Sequence, residues 1–138
     1  MPTNTIIPAQ PTADEARRIE TLRHYDILDT APEQALDDLT ALAAQICGAP
    51  IALISLVDEH RQWFKARVGL EMTETAREVS FCGHAVHHRD LFIVPDATQD
   101  ERFAGSPLVT GEPRIRFYAG APLVSPQNSA LVDCNSNL

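Results

Sequence analysis

Residues 51–68 read IALISLVDEHRQWFKARV, and this stretch decides the fold. Residues 51–57 are apolar except for Ser55. A continuous apolar run of that length, closed by turn residues, predicts a strand buried on both faces. Asp58, Glu59 and His60 form a tight polar turn. Residues 62–68 then alternate, with Phe64, Ala66 and Val68 on one face and Trp63, Lys65 and Arg67 on the other. That is the pattern of a half-buried strand, and the two runs together read as an antiparallel hairpin.

Upstream, helical signals prevail. Thr12 and Glu15 have capping-box spacing, which predicts a charged helix over 13–24 marked by Ile19 and Leu22. Such a helix either packs on a partner or lies across its own domain. Thr30 and Glu33 repeat the spacing, and Pro32 falls in the first turn of a second helix. Leu36, Leu39, Ala43 and Ile46 form its apolar stripe, Gly48 suits its C-terminal cap, and Pro50 blocks continuation. Downstream, 69–79 reads as a polar connection. Ser80 is placed to cap a short helix through His88. Residues 91–94 form a short strand, 96–113 a long loop, and 114–124 a last strand broken by Gly120 and Pro122. Strands clustered after two helices imply an α+β domain. Its antiparallel sheet carries helices on one face. A short helix and a long loop over the other face enclose a pocket.

The chain has 138 residues, the size of one domain. Its 19 acidic and 11 basic residues give a formal charge of −8. Long-range repulsion then argues against nucleic acid or an anionic membrane as partner. Residues 1–12 lack the basic and apolar regions of a signal peptide and read as a flexible lead-in. No apolar run reaches the ~20 residues that span a bilayer. The cytoplasm follows as the default location, with Cys47, Cys82 and Cys134 reduced. Their wide spacing and the absence of a CxxC pair speak against structural zinc.

Four blocks carry a family signature: LRHYDILDTAPEQALDDLTALAAQICGAPIALISLVDEHRQWFKARVGL, REVSFCGHAV, IVPDATQDERFAGSPLVTGEP and IRFYAGAPL. In this order they resemble a GAF domain, and more narrowly the module at the N-terminus of bacterial sensor histidine kinases and diguanylate cyclases. The resemblance spans roughly residues 19–124. It implies a six-stranded antiparallel sheet, with helices on one face and a small-molecule pocket on the other. It further implies a module that binds a ligand or dimerises as a relay, with no catalysis of its own. The domain is expected over 13–125.

After AGAPL the family continues into an apolar strand of the LGTLCVID type and a long helix. Here residues 126–138 depart from that pattern, which predicts a truncated module without its output domain. The absent strand lies beside the first strand in the family. About six hydrogen bonds at ~1 kcal/mol each and three buried side chains at ~1.5–3 kcal/mol each rival the ~5–15 kcal/mol stability of a domain. Either Ala130, Val132 and Cys134 fill the slot, or the first strand keeps an open edge that invites association. Marginal stability is the expectation.

Six residues are candidates for the pocket: Cys82, His84, Asp96, Phe103, Arg116 and Tyr118. Cys82 sits where a helix N-terminus lowers a thiol pKa, and its other role is packing the wall. In bilin-binding relatives a histidine follows the linking cysteine, whereas Gly83 follows Cys82 here. His84 and His88 share a helical face, but no partner ligand stands at fixed spacing, so no metal is assigned. Asp96 and Phe103 lie on the loop. Arg116 and Tyr118 share a strand face, where Arg116 would pair a ligand carboxylate or phosphate, or an aspartate that pins the loop. The Asn-Lys element of cyclic-nucleotide-binding relatives is missing. No catalytic constellation stands out, and the sequence names no cofactor. The leading function is a regulatory module that recognises a small ligand or forms a homodimer. An enzyme like the free methionine sulfoxide reductases of this fold, or a non-functional remnant, are the alternatives.

Overall fold

The computed structural model describes residues 8, 11–88, 90–124 and 130–137, with Val124 and 130–137 as backbone alone. The hairpin is present as β1 (Ile51–Val57) and β2 (Arg61–Val68). Every residue of β1 is buried, as its apolar run requires. In β2 the strict alternation fails, because the register slips between Ile54 and Ser55. Ser55 pairs with Phe64 but Ile54 pairs with Ala66, so Lys65 is the extra residue of a bulge. A bulge inverts the side-chain parity beyond it. Ala66 therefore shares a face with Ile54, and Phe64 shares one with Ser55.

The sheet has six antiparallel strands in the order β3-β2-β1-β6-β5-β4. β3 (Glu74–Ala76) is an edge strand within the expected polar connection. Three residues are too few to show a period. β4 is Phe92–Val94 and β5 is Tyr118–Val124. The expected start of β5 at residue 114 is too early. The Arg116 carbonyl accepts from the Ala97 N–H, and the Ile115 N–H donates to the Leu108 carbonyl. Those backbone groups serve the loop rather than the ladder. β6 (Ala130–Asn137) lies between β1 and β5 and pairs with both. Of the two outcomes expected for the tail, the filled slot is the one adopted. The expected lead-in over 1–12 falls mostly outside the described residues, as do 125–129.

Two helices cover one face. α1 (Glu15–His24) buries Arg18, Ile19 and Leu22, so it lies across its own domain. Leu22 packs on Leu56 and Trp63. The Thr12 N–H and hydroxyl both donate to the Glu15 carboxylate, at 3.1 Å each, which is the carboxylate half of the capping box. α2 (Gln34–Cys47) ends at Gly48 with φ 62°, the left-handed cap expected there. The second capping box does not form. The Thr30 hydroxyl and the Glu33 carboxylate instead hold the buried Lys65 ammonium, at 2.7 and 3.0 Å. A lysine forced inward by the bulge needs those oxygens more than a helix end exposed to water does. The α2 stripe is also displaced: Thr40 is buried, whereas Leu39 and Ile46 are 54% and 73% exposed, beside exposed Leu42.

The opposite face carries α3 (Phe81–Ala85) and α4 (Pro107–Thr110). Ser80 caps α3 as expected, its Oγ accepting from the Gly83 N–H at 2.9 Å. α4 and a 3-10 turn at Ala97–Gln99 break the long loop. The signal for α4 was in the sequence: Ser106 caps it, with Pro107 in the first turn. Gly69 closes the domain under β1, with φ 77°. A Cβ there would stand 1.9 Å from the Pro50 carbonyl oxygen, so only glycine fits. Among the described residues no helix is long and apolar enough to cross a membrane.

Candidate ligand pocket

A pocket lies between the sheet and α3, α4 and the loop segment leading into β5. Its space, mouth included, is about 410 Å³. Ile51, Leu53 and Phe64 form the floor, and Leu70 and Met72 close one side. Phe81 and Cys82 of α3 meet Leu108, Ile115 and Tyr118 above it. The walls are thus set by the apolar face of the hairpin and by the first turn of a capped helix. Polar groups are few. The Tyr118 hydroxyl donates to Cys82 Sγ at 3.4 Å, and both residues are buried.

Gln62 and Thr75 supply the remaining polarity. Gln62 is 3% exposed. Its Nε2 donates to Thr75 Oγ1 at 3.0 Å, while Thr75 Oγ1 donates to the Ala76 carbonyl at 3.3 Å. That relay fixes the amide orientation: Nε2 faces the threonine, and Oε1 is left as an acceptor with no partner among the described residues. A buried oxygen in that state costs about 1–3 kcal/mol. Sequence reasoning passed over Gln62. Its signal was a polar residue two positions before Phe64, on the same face of an otherwise apolar floor.

Of the six candidates, Cys82 and Tyr118 line the pocket. The other four do not. Phe103 is the centre of an aromatic core, stacked on Phe81 with ring centroids 4.1 Å apart. His84 meets Phe103 edge-on at 4.9 Å, and His88 stacks on Phe92 at 5.0 Å. Asp96 is exposed and caps the 3-10 turn through the Thr98 hydroxyl and N–H, at 2.6 and 3.0 Å. Those two bonds, and more distantly the Arg116 charge, hold its carboxyl below the usual carboxylate range. Arg116 precedes β5 and so does not share a strand face with Tyr118. Its guanidinium donates to the Val109 carbonyl at 3.0 Å, which turns it from the pocket.

The expected contact between Arg116 and an aspartate does not form among the described residues; Arg102 instead pairs with Asp100 within the loop itself, at 2.7 Å. The Arg102 hydrogen bond holds the Asp100 carboxyl below its ordinary range, and the nearby His84 adds to this. The Arg102 guanidinium lies 5.0 Å from the Phe92 ring centroid and 5.2 Å from that of Phe103, a cation–π seat over the aromatic core. Among the described residues, no three His, Cys, Asp or Glu side chains gather as a metal site. Cys47 ends α2 exposed on the helix-covered face, whereas Cys82 is buried in the pocket wall. The sheet separates these two thiols. The Cys134 side chain lies outside the described residues.

Comparison with known proteins gives concordant matches. The family model described as GAF domain matches residues 31–133. A cyclic di-GMP phosphodiesterase of Pseudomonas aeruginosa is 44% identical over 112 residues, which are 81% of this chain and 19% of that protein. The chain thus spans about a fifth of that relative's length. The GAF domain of a Coxiella burnetii phosphoenolpyruvate-protein phosphotransferase superposes with TM-score 0.61 at 13% identity, covering 89% of this chain and 77% of that one. The free methionine-R-sulfoxide reductase from Neisseria meningitidis, in complex with its substrate, gives 0.60 at 16% identity, over 98% and 80%. At such identities the structural likeness concerns the fold alone.

Proposed function

Because the chain belongs to the GAF domain family, we propose that it is a regulatory input module of a signalling protein in the bacterial cytoplasm. It recognises a small molecule in the pocket under α3 and passes the change to an effector outside these residues. The observation that carries this reading is the relation to the Pseudomonas phosphodiesterase. The segment 44% identical to this chain is about a fifth of that protein, and it overlaps the residues matched by the GAF model. Histidine kinases and diguanylate cyclases are the other effectors that the sequence blocks suggest. The exposed Leu39, Leu42 and Ile46 on α2 favour self-association as part of the relay.

The reductase alternative requires thiols that can meet. The sheet between Cys47 and Cys82 works against that pair. The test is to replace the matching segment of the Pseudomonas phosphodiesterase by this chain and to assay the chain alone in parallel. The chimera is expected to hydrolyse cyclic di-GMP at a rate that deletion of the segment changes. The isolated chain is expected to turn over neither cyclic di-GMP nor free methionine sulfoxide. Thioredoxin-dependent reduction of the sulfoxide, abolished by Cys82→Ser, would overturn the regulatory reading.

A further inference from the structure

We infer that the pocket selects a small neutral molecule with an apolar body and one N–H or O–H donor, and that Gln62 Oε1 receives this donor. The inference rests on the reading of the pocket as a ligand site and names the chemistry of its ligand. Gln62 is held in the wall by two pairings, with Val57 of β1 and Thr75 of β3. The Thr75 relay commits Nε2 and leaves Oε1 open. No group among the described residues supplies that donor, so a bound ligand is what completes the acceptor. Tyr118 does not compete, because its hydroxyl already donates to Cys82 Sγ.

Charge and size narrow the class. No described lining residue carries a charge. An ionised carboxylate or phosphate would therefore lose its hydration with no counter-charge in return. The 410 Å³ includes the open mouth, so the enclosed space is smaller still and suits only a small ligand. A cyclic dinucleotide is too large and too charged. The ligand thus differs from the substrate in the Pseudomonas relative's name.

Indole, 1-methylindole and indole-3-carboxylate serve as probes, titrated into the full chain and followed by amide and methyl NMR shifts. The expected result is indole binding at least tenfold tighter than either of the others, with shifts centred on Leu53, Gln62 and Phe64. Gln62→Leu should bring indole within about twofold of 1-methylindole and leave the latter's affinity unchanged. Equal binding of indole and 1-methylindole to the unaltered chain, or a preference that survives Gln62→Leu, overturns the inference while the pocket stands as a ligand site. If none of the probes moves the pocket resonances, both the inference and the ligand-site reading fall. The comparison on the unaltered chain decides the matter even where the variant does not fold.

Discussion

Glu15→Gln is expected to cost the domain a large part of its stability. The Glu15 carboxylate accepts from Arg18 Nε and Nη2 at 3.3 and 3.1 Å, and from both terminal nitrogens of Arg77. The two arginines are 2% and 4% exposed. Arg18 also donates to the Val57 carbonyl, and Arg77 to the carbonyls of Asp58 and Glu59. One carboxylate thus compensates two buried cations and ties α1 to the β1–β2 turn. An exposed pair would contribute only about 0–1 kcal/mol. Removing one partner of a buried pair costs about 3–5 kcal/mol, because the remaining charge stays desolvated. The amide would also turn a donor towards the guanidinium groups. Against a total of ~5–15 kcal/mol, the variant should melt far earlier or fail to fold.

Urea unfolding followed by circular dichroism reads the difference at pH 7, and a pH series gives its sign. Burial opposes the charged form of Glu15, but the hydrogen bonds of Arg77 and Arg18 outweigh it and hold its pKa well below 4.5. The contribution is therefore fully present above about pH 4.5, the unfolded value, and is lost as pH falls towards the folded one. The unaltered chain should lose stability below pH 4.5 more steeply than Glu15→Gln does. A loss under about 1 kcal/mol at pH 7, or parallel pH profiles, would refute the reading of this cluster.

Two further outcomes test the frame. Val132 pairs with Leu56 on one side and Leu123 on the other, so Val132→Pro removes a ladder donor in a central strand and should cost at least about 1–3 kcal/mol by thermal melting. An unchanged melt would show that β6 does not hold the slot. Leu39→Glu with Ile46→Glu changes exposed positions, so stability should move by under about 0.5 kcal/mol per site. Sedimentation velocity should show a smaller species than the unaltered chain, and identical profiles would remove α2 from the self-association surface.

The sequence was most legible where burial alone set the pattern. IALISLV reads as a strand because every one of its side chains is enclosed. The bulge at Lys65 was hidden, since one extra residue leaves no mark on composition yet reverses each face after it. β6 was one of two outcomes left open for the slot beside β1, for a different reason. ALVDCNSN has little β-propensity, and its extended form follows from the place between β1 and β5 rather than from its own residues. Cys82 and Tyr118 were found because a capped helix and a strand carry them to the pocket. Arg116 was lost when backbone bonds to the loop moved the start of β5 to Tyr118.

Buried charges and buried neutral oxygens are treated differently in this fold, and one of the neutral oxygens belongs to a residue that lines the pocket. Around α1 and the connection to α2, three buried cations, Arg18, Arg77 and Lys65, each meet a carboxylate. On the other face, Ser55 Oγ and Gln62 Oε1 are buried oxygens without a hydrogen bond among the described residues. Both belong to the same side of the hairpin, since Ser55 pairs with Phe64 and Val57 with Gln62. A fold that compensates every one of those buried charges has the means to compensate two neutral oxygens, and a leucine at residue 62 would have removed one cost outright. Leaving Oε1 open in an apolar cavity, with its amide nitrogen locked by Thr75, makes physical sense if something else completes it. The acceptor's value therefore lies in the occupied state of the pocket, not in the stability of the empty domain.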